Sequence, residues 1–218
     1  MSTVFITGAN RGIGLELARV FTGRGDTVIA GCRRSSPELD ATGARCEELD
    51  VADDASVAAL AARLDDDIDL LVHNAGVLQR TRLDDLDLAA IRRQFEINAL
   101  GPVKLTAALR HRLVDGGKVA IVTSRMGSIA DNTSGSHYGY RMSKAAVNTA
   151  GVSLSHDLRP RNIAVALLHP GYVRTGMTGG NGNWNADEAA AALVQRIDEL
   201  TLANSGTFWH AEGQVLPW

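Results

Sequence analysis

Seven short runs of apolar and β-branched residues recur along the chain: TVFITG (3–8), TVIAGC (27–32), ARCEEL (44–49), IDLLVHN (68–74), KVAIVTS (118–124), IAVALLHP (163–170) and TFWH (207–210). Longer stretches with helical patterning lie between them, near 12–24, 53–64, 85–113, 137–158 and 186–201. Most of the runs are apolar at successive positions, as in strands buried on both faces, and their alternation with helices is the mark of a parallel sheet covered above and below. The expected fold is α/β: a single doubly wound, Rossmann-type domain spanning 1–218, with about seven parallel strands. A chain of 218 residues is long enough to bury one full core. No repeat, low-complexity tract or linker divides it.

Composition narrows the function. A net charge of −3 without any block of like charges argues against a nucleic-acid or anionic-membrane surface. The amino-terminal MSTVFITGAN enters a strand at once, leaving no room for a signal peptide, and no apolar run reaches the roughly 18–20 residues of a membrane span. A cytoplasmic location is expected. Cys32 and Cys46 lack CxxC spacing and read as reduced core or near-core thiols, and the histidines lack ligand spacing, so no metal site is expected.

TGANRGIG, Thr7 to Gly14, follows the first strand and opens the first helix. Gly8, Gly12 and Gly14 are spaced to let the backbone turn tightly and approach a pyrophosphate, which then faces the positive end of the helix. Asp50, ending the third strand, either accepts from an adenine amino group or caps the next helix. HNAG (73–76) ends the fourth strand beside the same cleft. Where a carboxylate would hold a ribose 2′-hydroxyl, the second strand ends in Cys32 followed by Arg33 and Arg34, with Arg11 toward the same corner. Guanidinium groups suit a 2′-phosphate, which predicts NADP(H) over NAD(H).

SHYGYRMSKAA (136–146) puts Tyr140 and Lys144 four residues apart, neighbours on one helix face, with Tyr138 pointing elsewhere. Together with the glycine loop and Asn74-Ala75-Gly76, this pair resembles the short-chain dehydrogenase/reductase family over essentially the whole chain. The segment SRMGSIADNTSG and the ending GTFWHAEGQVLPW are similar to its C-factor-like carbonyl reductase branch. The resemblance implies an NADP-dependent enzyme acting on a small carbonyl or alcohol. Tyr140 would be the general acid, with Lys144 lowering its pKa toward working pH and holding the nicotinamide ribose, and Tyr138 would line the pocket. Ser124 would bond the substrate carbonyl, with Ser128 a competitor because Ser124 lies sixteen residues before Tyr140 rather than the usual thirteen. Asn98 would hold a relay water; its other reading is a helix irregularity before Gly101-Pro102. The cofactor would lie against Gly8, Asn10, Arg11, Gly12, Ile13, Gly14, Arg33, Asp50, Val51, Asn74, Ala75, Gly76, Tyr140, Lys144, Pro170, Gly171, Val173 and Thr175. His73 departs from the family's usual asparagine. Residues 175–186 form either a substrate lid carrying Trp184 or a flexible connection. From Ala145 to His156 there is no Asp, Glu, Lys or Arg, so this helix is expected to be covered on both sides in a homodimer.

Overall fold

Each strand position has to satisfy one of two cores, which is why the strands read as unbroken apolar runs. In β1 (Thr3–Thr7), Val4 and Ile6 face one core while Phe5 faces the other. The structure, a computed structural model, describes all 218 residues. Its remaining strands are β2 (Thr27–Cys32), β3 (Arg45–Glu48), β4 (Ile68–His73), β5 (Leu113–Val122), β6 (Ala164–His169) and β7 (Phe208–His210). They form one seven-stranded sheet in the order β3-β2-β1-β4-β5-β6-β7, with every neighbouring pair parallel. The chain winds outward from β1 to β3, then returns to the other side of β1 to lay down β4. That reversal leaves a crevice above the carboxyl ends of β1 and β4, where open α/β sheets bind ligands.

One core of 24 residues lies between the sheet and helices α1 (Gly12–Gly23) and α7 (Ala186–Asp198), with the short α2 (Pro37–Asp40) at its margin. The other, of 20 residues, lies under α3 (Asp54–Arg63), α4 (Leu88–Phe95), α5 (Gly101–Leu109) and α6 (Tyr138–Asp157). No helix is long and apolar enough to cross a membrane.

Three expectations need correction. The helix predicted over 85–113 is three pieces: α4, capped by the Asp87 side chain, a π-turn over Glu96–Leu100, and α5. Pro102 has no N–H for the helical ladder, and the π-turn widens the helix just before it. Strand β5 begins at Leu113 rather than 118, running through Gly116 and Gly117 with a register shift against β4. Of the two thiols, Cys32 is buried but Cys46 is exposed on the edge strand; both are free, with sulfurs 3.2 Å apart.

Candidate functional site

The glycine loop and the turn after β4 are bolted together by the side chains of Thr7 and Asn74. The Thr7 hydroxyl accepts from the amides of Asn74 and Ala75, both at 3.0 Å, and Asn74 Nδ2 donates to the Thr7 and Gly8 carbonyls. Gly8 has φ +67° and packs so closely on Ala75 that a Cβ would lie 2.9 Å from its Cα. A Cβ on Gly14 would lie 2.4 Å from Asn74 Nδ2 and from the Gly8 carbonyl oxygen. These glycines are there because nothing larger fits. Arg11, at the N-cap of α1, gives that helix no side-chain cap, so its first amides are free to meet an anion.

From this loop a cleft of about 1340 Å³ runs across the carboxyl ends of the strands. That exceeds the roughly 300–1,000 Å³ of a typical small-molecule pocket and leaves space for a dinucleotide and a substrate together. Arg11, Cys32, Arg33 and Arg34 line one end. Asn10 Nδ2 donates to the Arg34 carbonyl, and the Ser36 hydroxyl donates back to the Asn10 carbonyl, so the basic corner and the glycine loop move as one. Asp50 lines the cleft as well, with Oδ1 accepting from the Ala52 amide. The cap of α3 is Asp53, which disposes of that alternative for Asp50.

Tyr140 and Lys144 stand at the other end, both buried, with Lys144 Nζ 5.8 Å from the Tyr140 ring centre and donating to the Val122 carbonyl at 2.8 Å. Burial pushes the Tyr140 phenol up to about 12, opposed in part by a hydrogen bond from the Ser124 side chain, and pulls Lys144 down to about 8. Burial therefore acts against the lowering of the Tyr140 pKa expected from Lys144. Desolvation disfavours the phenolate, and the lysine ammonium is itself poorly solvated and turned toward the Val122 carbonyl. At neutral pH the phenol keeps its proton and the lysine is largely charged.

The two candidate serines separate cleanly. Ser124 caps the turn after β5, its Oγ accepting from the Met126 amide, and its side chain reaches the Tyr140 phenol. Ser128 is buried and occupied: its Oγ donates to the Trp218 carbonyl and accepts from the Asp131 amide. Asn98 lies within the π-turn and behind the cleft. Its Oδ1 accepts from the Val77 amide at 2.8 Å, and its Nδ2 donates to the Val77 carbonyl and to Ser143 Oγ. Tyr138 is 37% exposed and does not line the cleft. His73 is buried and held neutral, with Nε2 2.8 Å from Thr106 Oγ1.

Gly12, Ile13, Val51, Ala75, Gly76, Pro170 and Thr175 also line the cleft, whereas Gly14, Gly171 and Val173 do not. Gly171, at φ +89°, lies under the Trp184 indole, and Val173 bridges to Trp184. The loop of 175–186 is anchored rather than loose. The Arg174 amide donates to the Trp184 carbonyl and the Asn183 amide to that of Tyr172, leaving Gly176 and Met177 to face the cleft. Sequence reasoning missed Gln79 and Arg93 in the lining, which no pattern marks. It also missed buried Gln94, although its spacing of four residues before Asn98 on a helix was a usable signal.

A family model described as short chain dehydrogenase matches residues 2–186. The chain belongs to the short-chain dehydrogenase family. It is 45% identical, over the full length of both chains, to 1-hydroxy-2-glutathionyl-2-methyl-3-butene dehydrogenase of Rhodococcus sp. (strain AD45). It is 46% identical to C-signal of Myxococcus xanthus over 69% of this chain and 93% of that relative. Among solved structures, the NADPH-bound carbonyl reductase from chicken fatty liver superposes with a TM-score of 0.91 at 26% identity, covering 100% of this short-chain dehydrogenase and 99% of that chain.

Proposed function

We propose that this short-chain dehydrogenase reduces a small ketone or aldehyde with NADPH by direct hydride transfer, with Tyr140 as the general acid. The observation that carries the reading is the buried Tyr140–Lys144 pair at one end of a cleft whose other end is basic. The free amides of α1 and the glycine loop suit a pyrophosphate, and Arg11, Arg33 and Arg34 suit a 2′-phosphate. The NADPH in the chicken carbonyl reductase supports this choice. When bound, NADPH supplies the hydride. The protein's part is to hold the carbonyl oxygen between the Ser124 and Tyr140 hydroxyls and to deliver the phenolic proton as that oxygen becomes basic. A phenol held up at about 12 is fully protonated at neutral pH, as reduction requires. The Lys144 ammonium then stabilises the phenolate left behind. Asn98, through Val77 and Ser143, holds the wall behind the lysine, where a relay water would connect it to solvent.

Oxidation of an alcohol by the same residues is the second reading, supported by the name of the Rhodococcus relative. Signalling without catalysis, suggested by the name of the Myxococcus relative, would need neither a buried acid nor its lysine. The test is NADPH consumption with a panel of diketones, quinones and aromatic aldehydes, and NADP⁺ reduction with the matching alcohols. Tyr140→Phe should lower kcat by about 10²-fold or more while NADPH still binds, and Tyr138→Phe should stay within about tenfold of wild type. Equal losses in the two variants would overturn the assignment.

The expected homodimer would form on α6. Its outer face carries Met142 and the hydroxyls of Thr149 and Ser153, each donating to a carbonyl one turn back. Such a face is uncharged and already satisfied, ready to be covered. Light scattering that returned the 23.1 kDa of one chain at micromolar concentration would refute it.

A further inference from the structure

If Tyr140 is the acid, something must hold its helix in place, because α6 does not cap itself. Its N-cap, His137, makes no side-chain hydrogen bond to the helix, and the first turn contains no acidic residue. Both Ser136 (φ 59°) and His137 (φ 53°) lie in the left-handed region, a conformation that is strained for side chains other than glycine and persists only when the surroundings impose it. The imposing contacts come from the loop after β4. The His137 amide donates to the Thr81 carbonyl at 2.9 Å, and the Gly139 amide donates to Thr81 Oγ1 at 3.1 Å across 58 residues of sequence. One wholly buried threonine thus caps the helix in trans.

The loop that carries Thr81 is fastened to α4 in turn. Gln94 Oε1 accepts from the Gln79 amide at 3.0 Å, and its Nε2 donates to the Ala90 carbonyl. The same Nε2 lies so close to Gly139 that a Cβ there would come within 2.4 Å of it. One turn further on, Asn98 grips Val77 and reaches Ser143 Oγ, which donates to the Tyr140 carbonyl at 2.9 Å. Thr81, Gln94, Asn98 and Ser143 are all at most 1% exposed. A buried polar network with its bonds made in this way is rigid, and removing one member strands the others.

We infer that Thr81 and Gln94 are positioning residues for the reaction, acting through Tyr140 by clamping the strained start of α6 to the cleft wall. The inference rests on the assignment of Tyr140 as acid. The strain supplies the reason for a clamp: once the Thr81 hydroxyl is gone, Gly139 is released and only the Thr81 carbonyl still holds His137, so Ser136 and His137 gain by returning to ordinary φ and Tyr140 moves with them. A displacement near 1 Å is enough to cost about 10²-fold in rate.

The experiment compares Thr81→Val, which keeps the shape and removes the acceptor, with Thr81→Ser, which keeps the hydroxyl, in the full chain. Thr81→Val should lower kcat about tenfold or more while the KM for NADPH stays within about twofold, and Thr81→Ser should restore most of the rate. Adding Thr81→Val to Tyr140→Phe should cost nothing further, because a residue that acts through the phenol loses its effect when the phenol is absent. If Thr81→Val does not fold, Gln94→Met carries the same expectation, since it withdraws the amide from Gln79 and Gly139 at similar length. Wild-type kcat in whichever variant folds, no rescue by serine, or losses that add in the double variant would overturn the inference while leaving Tyr140 as the acid. Full turnover by Tyr140→Phe would instead bring down the reading beneath it.

Discussion

Replacing Lys144 with Met tests the electrostatics of the site apart from its chemistry. Burial lowers the lysine from 10.5 to about 8, so the folded protein holds an ammonium that it disfavours relative to the unfolded chain. That drop corresponds to about 3 kcal/mol of destabilisation at pH 7. The sign follows from proton counts. Below about 8 both states are charged and the whole cost is felt. Between about 8 and 10.5 the unfolded state binds more protons, so wild-type stability rises with pH and the cost fades. Met removes the cost at every pH, but it leaves the Val122 carbonyl without its 2.8 Å donor, which takes back about 1–3 kcal/mol independently of pH. The stability of Lys144→Met relative to wild type should therefore fall by about 2–3 kcal/mol between pH 7 and pH 10, or about 5–10 °C in Tm. Thermal or urea unfolding of both proteins at the two pH values measures this, and groups common to both cancel in the difference. The variant should also be inactive. A difference that does not change between pH 7 and 10 would show that the lysine is not desolvated and would undo the reasoning.

Arg33→Ala should weaken NADPH binding about 10- to 150-fold, the value of one charged hydrogen bond to a phosphate, with NADH affinity nearly unchanged. Comparable wild-type kcat/KM for the two cofactors would rule this out. Ser124→Ala should lower kcat about 10²-fold, as loss of one donor to a developing oxyanion does. Ser128→Ala should leave kcat near wild type and lower Tm by a few degrees as the Trp218 carbonyl and the Asp131 amide lose their partner. The reverse pattern would exchange the two serines.

What could be read from the sequence is what local spacing determines. Strands buried on both faces announce themselves as apolar runs, and the glycine loop is legible because it sits between the first strand and the first helix. Tyr140 and Lys144 are neighbours because a helix makes them so. What escaped depends on distant partners. Ser128 is taken up by the backbone of Trp218, 90 residues on. The pKa of Tyr140 is set by elements that bury it, and no count of nearby charges anticipates their solvent exclusion. Asn98 and Pro102 flagged an irregularity, yet that it would be a π-turn gripping Val77 depended on the loop docked against it.

The trans cap also bears on the order in which the protein assembles. A helix whose first amides are satisfied by a residue 58 positions away cannot complete its first turn from local contacts, so that turn waits for a long loop to close. On the ribosome the partners come first: Thr81, Gln94 and Asn98 are all made before residue 138 emerges. A nascent chain ending there already holds the glycine loop, the basic corner and the α4 side of the surface on which α6 will dock, while β6 beneath the helix is still to come. The Tyr140–Lys144 pair is then completed late, once β6 has closed the surface beneath its helix.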